Sequence, residues 1–147
     1  MEIMQFEVMP KIGIGPVKLG VERLEALACH GLRIRKLHET QASSHPTDAF
    51  YSSGFQIFYE GATPKVEGIE LSRDSGFEIV MSGVKVLNLP VSEALVKIQE
   101  ITGLMPLSED EGYTFEIPEL GLWLWRPVIE SPEGEYFETI GIGKPNT

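Results

Sequence analysis

Two helices are predicted by apolar residues that recur at helical spacing. The first covers residues 21–30, because Gly31 is a typical residue for ending a helix. Its apolar face consists of Val21, Leu24, Leu27 and Ala28. The second is the most regular helical pattern in the chain. It begins near Ser92, a suitable N-cap, and ends before Gly103.

Alternating apolar and polar residues predict strands in most of the remaining chain. The predicted strands cover residues 2–9, 32–38, 54–60, 65–72, 77–82, 84–90, 113–118, 120–127 and 135–143. The three strands between residues 54 and 82 are expected to form an antiparallel meander. Residues 39–48 carry no apolar pattern and are predicted to be a loop. Gly13, Gly15 and Gly20 indicate turns with positive φ between the first strand and the first helix.

The order of predicted elements occurs twice along the chain. Residues 15–27 align with residues 83–95 without a gap, which places Glu25-Ala26-Leu27 on Glu93-Ala94-Leu95. The period is roughly 70 residues, and two unrelated helices in an ordinary domain are the alternative. We expect a single α+β domain over residues 1–147, built from two strand-helix-strands repeats, approximately 1–73 and 74–147. Both helices would pack on one mainly antiparallel sheet and leave its other face bare.

The predicted strand at residues 120–127 is apolar on both faces. Side chains alternate along a strand, so Leu122 and Leu124 share one face with Arg126, and Trp123 and Trp125 share the other. If the helices cover the leucine face, something else must cover the tryptophans.

Three coverings of the tryptophans remain open. One is the chain's own loop at residues 39–53, with Phe50 and Tyr51. The others are a partner protein and a second copy of the chain. Trp, Tyr and Arg are enriched among the residues that dominate binding energy at protein interfaces.

Charge is the strongest compositional feature. The 147 residues include 22 acidic and 12 basic side chains, a formal net charge of −10. Residues 74–147 hold thirteen acids and four bases, so the second half carries −9 of that charge. A negative field disfavours nucleic-acid binding. It serves solubility, or it attracts a basic partner.

The acidic run Glu109-Asp110-Glu111, with Glu116 and Glu119 nearby, is the densest part of this field. Its spacing does not match an EF-hand loop, so a solvated turn is favoured over a calcium site. The run would speed association with a basic partner by mimicking phosphates.

Catalytic and metal-binding motifs do not emerge from the sequence. Cys29 is the one cysteine, which excludes an internal disulfide. It adjoins His30 on a predicted helix, where neighbouring side chains diverge by about 100° and form a poor nucleophile-base pair. His30, His38 and His45 lack metal-ligand spacing. We therefore expect no enzyme activity, no metal and no cofactor.

Short segments resemble known bacterial protein groups. The segment IGPVKLGVERLEAL resembles the opening of tandem-repeat inhibitors of the β-lactamase inhibitory protein type and of small outer-membrane assembly lipoproteins. The segments YTFEIPELGLWLWRP and EYFETIGIG resemble an uncharacterised bacterial cytoplasmic family whose members include presumed toxin-immunity proteins. We expect neither the inhibitor's disulfides nor the lipoproteins' lipid-attachment signal in this chain, so a shared secretory role is not implied. The resemblance implies a binding protein more than an enzyme.

The sequence as a whole predicts a cytoplasmic immunity or inhibitor protein that neutralises a basic toxin such as a nuclease. No signal peptide or membrane span is expected. The predicted partner-binding residues are Trp123, Trp125, Arg126, Glu109, Asp110, Glu111, Tyr113 and Glu116. The alternatives are a structural protein that associates with itself as a homodimer, and a small-ligand carrier or enzyme with its pocket under the 39–53 loop. Arg33, Arg35 and Lys36 form one positive patch, either paired with the chain's own acids or a second contact surface.

Overall fold

Ten strands and two α-helices are formed by the residues that the computed structural model describes, which are 4–28, 47–50, 54–130 and 132–144. The strands are β1 Gln5–Met9, β2 Gly13–Ile14, β3 Val17–Lys18, β4 Thr47–Phe50, β5 Phe55–Glu60, β6 Lys65–Ser72, β7 Glu78–Val80, β8 Thr114–Ile117, β9 Leu122–Trp125 and β10 Thr139–Gly143. The helices are α1 Arg23–Leu27 and α2 Val91–Thr102. The predicted α+β class is confirmed.

The larger sheet has six antiparallel strands in the order β4-β5-β6-β10-β9-β8. Its pairing register lines up two rows of side chains on one face, and these rows form much of the core. One row is Phe50, Phe55, Leu71, Ile140, Leu124 and Phe115. The other is Asp48, Ile57, Ile69, Ile142, Leu122 and Ile117. Since side chains alternate along each strand, the remaining positions face the other way.

The smaller sheet has the order β3-β2-β1-β7, and its β1-β7 pair is parallel. It contacts the larger sheet through phenylalanine rings in edge-to-face geometry. The ring centroid of Phe6 on β1 lies 5.0 Å from that of Phe55 and 5.1 Å from that of Phe77. This geometry is favourable because the positive edge of one ring meets the negative face of another.

The helices differ in length and in how closely they match their prediction. Helix α2 buries Val91, Ala94 and Ile98 on one face and ends at Gly103, whose φ of 74° is the left-handed conformation typical of a helix end. Its N-cap is Pro90 rather than the predicted Ser92. Helix α1 begins only at Arg23, because the carbonyl of Val21 accepts a hydrogen bond from the N–H of Val66 and extends the chain there.

Several predicted strands belong to other elements. The described residues form two sheets, so the expected single sheet is not confirmed. The predicted meander partner at residues 77–82 pairs with β1 instead, and β10 occupies the place beside β6. On the other side of β5, β4 extends the larger sheet. Residues 84–90 form a 3-10 turn at Val86–Asn88 instead of a strand. Residues 47 and 48 lie in β4, not in a loop.

Some predictions fall outside the described residues. These are the end of the first helix with Cys29 and His30, the strand at 32–38 with its basic patch, and most of the 39–53 loop with His38, His45 and Tyr51. Within the described part, each half of the chain contributes three consecutive strands to the larger sheet. The two sets of strands meet at the β6-β10 pair. That order is compatible with the predicted duplication, which stays a prediction.

Candidate functional site

The tryptophan face is the side of the larger sheet that points away from the core rows, and it carries Trp123 and Trp125. Two cross-strand rows define it. The first is Gln56, Glu70, Gly141, Trp123, Glu116 and Leu107. The second is Ser72, Thr139, Trp125 and Thr114. Leu122 and Leu124 are buried on the core side, as the alternation predicts, whereas Trp125 is 40% exposed.

Trp123 lies flat across its neighbouring strand because Gly141 has no side chain. A Cβ atom at position 141 would overlap with the indole ring. The ring also extends towards Gly143 and Gly68, where an added Cβ atom would lie 3.3 Å and 3.6 Å from it. At the far side its Nε1 donates a hydrogen bond of 3.0 Å to Oε2 of Glu70. The glycines therefore provide the surface on which Trp123 is fixed.

Trp125 borders a shallow depression beside this fixed indole. The depression is lined by Glu70, Thr114, Trp123, Trp125 and Thr139. At the outer edge of the same face, Leu107 is 63% exposed next to Glu116, with which it exchanges two backbone hydrogen bonds. The tryptophan face thus combines exposed apolar side chains with two carboxylates, a composition different from that of an ordinary solvated face.

The acidic turn at residues 109–111 folds around Asp110. Its Oδ1 accepts hydrogen bonds of 2.7 Å from the N–H of Thr114 and 3.0 Å from the hydroxyl of Ser108. Hydrogen bonds from Thr114, first from its side chain and then from its backbone, lower the pKa of Asp110. The carboxylate thereby accepts the hydrogen bond of a backbone N–H at the edge of β8. An unpaired N–H at a sheet edge can otherwise pair with a strand of another chain. All three carboxylates are exposed, but that of Asp110 is engaged in hydrogen bonds within the protein.

Arg126 joins two loops rather than pointing freely outward. Its Nε donates to the carbonyl of Gly112 at 2.8 Å, and a terminal nitrogen donates to the carbonyl of Gly134 at 2.7 Å. Its backbone N–H donates to the carbonyl of Tyr113. Tyr113 itself is 38% exposed. Arg126 therefore holds the two loops together beside β9. A guanidinium fixed in this way loses little conformational freedom when a partner protein covers it.

The structure therefore places the eight predicted site residues at one end of the larger sheet. Trp123, Trp125 and Glu116 lie on the tryptophan face, and the acidic turn adjoins it through Thr114. Of the three coverings left open by the sequence, the structure contradicts cover by Phe50. Phe50 lies in the core row opposite Phe55, fully buried, because its position in β4 directs it to the other side.

The predicted site residues did not include a buried charged group at the opposite end of the sheet. Asp48 is fully buried and accepts two hydrogen bonds from Arg23, 2.9 Å from Nε and 2.8 Å from a terminal nitrogen. The hydroxyl of Tyr59 donates to the same carboxylate at 2.6 Å. Burial, followed by this hydrogen bond, raises the pKa of Tyr59. The three groups satisfy one another, so the cluster serves the fold.

A sequence signal for this cluster was weak. Asp48 lies two residues before Phe50 in a stretch with no clear period. Its partners lie 25 and 11 residues away along the chain. Glu70 was missed for the same reason, since 53 residues separate it from Trp123. The alternation in β6 does place Glu70 on the face opposite Ile69 and Leu71, which was the available indication.

No family model, curated protein or solved structure matches the chain. The resemblances inferred from short segments stay predictions. Among the described residues, no three His, Cys, Asp or Glu side chains converge to hold a metal ion. Neither of the described helices has the length and apolar character needed to cross a bilayer.

Proposed function

We propose that this chain is a non-catalytic binding protein that neutralises a basic protein, such as a toxin nuclease, through its tryptophan face. The observation that carries the proposal is the juxtaposition of Trp123 and Trp125 with the carboxylates of Glu70 and Glu116 on one sheet surface. Partly exposed aromatic side chains that are already held in place supply contact energy at low entropic cost.

The charge distribution supports a basic partner. The formal net charge is −10, and nine of the acids lie between residues 109 and 138 with one base, Arg126. Glu109 and Glu111 are exposed beside the tryptophan face and would speed association with a cationic surface. Asp110 contributes differently, because its carboxylate already holds the turn through Thr114 and Ser108.

Self-association through the same face is the second proposal from the sequence. The exposed Trp125 and Leu107 favour it. The charge opposes it, since two copies would bring two formal charges of −10 together and place like carboxylates at one interface. Of the two proposals, binding of a basic partner accounts for both the aromatic side chains and the charge.

The test is capture of a partner from an extract of the native cell by the purified protein, followed by a wash at high salt. We expect a basic protein that the salt releases. The double variant Trp125→Ala with Glu70→Gln is expected to lose it. The control is Val96→Ala with Glu93→Gln, which makes similar changes at exposed positions of α2. Equal capture by both variants, or no capture by the wild type, contradicts the proposal.

Light scattering of the purified chain separates the second proposal from the first. A monomer has a mass of 16.3 kDa, and a self-associating form has at least twice that mass. A dimer that Trp125→Ala dissociates, combined with no captured partner, would establish self-association instead.

The contribution of charge to association is tested by the double variant Glu109→Gln with Glu111→Gln, because it leaves the turn held by Asp110 intact. A lower association rate with reduced salt dependence is expected.

A further inference from the structure

We propose that the depression between Trp123 and Trp125 is a pocket for an arginine side chain, with Glu70 as its anionic partner. The pocket is lined by Glu70, Thr114, Trp123, Trp125 and Thr139. This proposal deepens the proposed function and rests on it for the origin of the arginine, which would belong to the basic partner. The capacity of the pocket for a guanidinium can be tested without that partner.

Glu70 is held in position at the pocket by Trp123. One oxygen, Oε2, accepts the hydrogen bond from Trp123, which fixes the carboxylate beside the indole. The other oxygen, Oε1, accepts no hydrogen bond from the part of the chain that the structure describes. A carboxylate fixed through one oxygen and available at the other forms a strong, charge-assisted bond with a cationic donor.

The basic side chain of Arg126, next to Trp125 in the chain, is already engaged elsewhere. Arg126 donates its guanidinium N–H groups to the carbonyls of Gly112 and Gly134. Among the described residues that line the pocket, Glu70 carries the charge. The pocket is therefore selective for a cation over an anion.

The aromatic lining of the pocket favours a guanidinium over an ammonium. Two tryptophans and two threonines line the depression together with Glu70. A guanidinium is planar and weakly hydrated, stacks on aromatic faces and offers several N–H donors, whereas an ammonium is a compact and strongly hydrated charge. The depression holds about 370 Å³, at the small end of the range for ligand pockets, which suits one side chain.

The experiment titrates the full chain with N-acetyl-arginine amide and follows the two indole N–H signals by NMR. N-acetyl-citrulline amide is the matched probe, because it has the same shape without the charge. We expect a saturable shift with the arginine probe and at least about fivefold weaker binding of the citrulline probe, which corresponds to about 1 kcal/mol.

Variants locate the binding. Glu70→Gln keeps an oxygen that can accept the hydrogen bond from Trp123 but removes the charge, so we expect about fivefold weaker binding. Glu93→Gln removes one charge from the exposed surface of α2 and is expected to leave binding unchanged. Trp125→Leu removes an aromatic wall of the pocket at an exposed position and is expected to weaken binding of the arginine probe. Circular dichroism of this variant checks that the fold is retained.

Three results would overturn the proposal: no saturable shift, equal binding of both probes, or equal effects of Glu70→Gln and Glu93→Gln. The outcome does not depend on partner capture. Selective arginine binding with no captured protein would leave the pocket established and the proposed function unsupported. Capture of a basic protein without binding of the arginine probe would support the proposed function and overturn the arginine pocket.

Discussion

The indole of Trp123 and the carboxylate of Glu70 are joined by a 3.0 Å hydrogen bond that crosses the strand between them. The intervening position is Gly141, and its missing side chain gives the indole room to lie against β10. Trp123 is therefore fixed by a packing relationship among three strands. The neighbouring Trp125 remains exposed on the same face.

Gly141→Ala is expected to displace the Trp123 indole and break its hydrogen bond with Glu70. The added methyl group would overlap with the ring, and overpacking of this kind costs about 1–3 kcal/mol in the free energy of unfolding. Urea unfolding measures the cost, and the indole N–H chemical shift reports the lost bond. In a Trp123→Leu background the same substitution should cost much less. Equal costs in both backgrounds would show that the ring does not occupy this position.

Arg23→Met is expected to destabilise the protein more than Asp48→Asn. Removing the arginine leaves a fully buried carboxylate without its cation, which costs about 3–5 kcal/mol. Removing the charge of Asp48 leaves Arg23, whose side chain is 24% exposed and can be hydrated. We expect a smaller cost of about 1–3 kcal/mol. Urea unfolding of both variants at neutral pH gives the order, and the reverse order would contradict the argument.

Tyr59→Phe removes the hydroxyl that donates to Asp48 and is expected to cost about 1.5–3 kcal/mol at neutral pH. Burial raises the pKa of Tyr59 in the folded state. The stabilisation associated with its proton is therefore complete below the ordinary tyrosine pKa of about 10 and is lost as pH rises above it. The difference between wild type and variant should shrink between pH 7 and about pH 10.5. A constant difference in urea unfolding would contradict this.

Asp110→Asn tests the internal role of the acidic turn. Since hydrogen bonds lower the pKa of Asp110, its contribution is complete above the ordinary aspartate value of about 3.9 and is lost as pH falls through the folded value. We expect the variant to melt below the wild type at pH 7, with a smaller difference near about pH 3. Glu109→Gln, an exposed neighbouring change, is the control and should show no such trend. Equal behaviour of the two variants would remove the special role of Asp110.

Local patterns predicted much of the secondary structure. Strand β6 matches its predicted bounds of 65–72, and α2 ends before Gly103 as its spacing indicates. The alternation in β9 correctly assigns the leucines to the core and the tryptophans to the opposite face. These predictions hold because helical and strand periods depend on a few neighbouring residues.

Partner choice between distant strands followed no such local rule. Strand β7 continues the pattern of β5 and β6 yet pairs with β1, about 70 residues earlier in the chain. Residues 84–90 alternate as a strand would, but they lead into α2 through a 3-10 turn. In both cases tertiary packing overrides the local preference, because strand pairing depends on which surface is available to bury each face.

The sequence by itself determined the α+β class and the acidic charge. It also determined that the leucines and the tryptophans of β9 lie on opposite faces of the strand. Only the tertiary structure decided that Gly141 supports Trp123, that Glu70 fixes it, and that Asp48 is neutralised by Arg23. The physical reason is the range of the interactions. Periodicity is recorded in adjacent residues, whereas a hydrogen bond across 53 residues depends on strand register that no local pattern specifies.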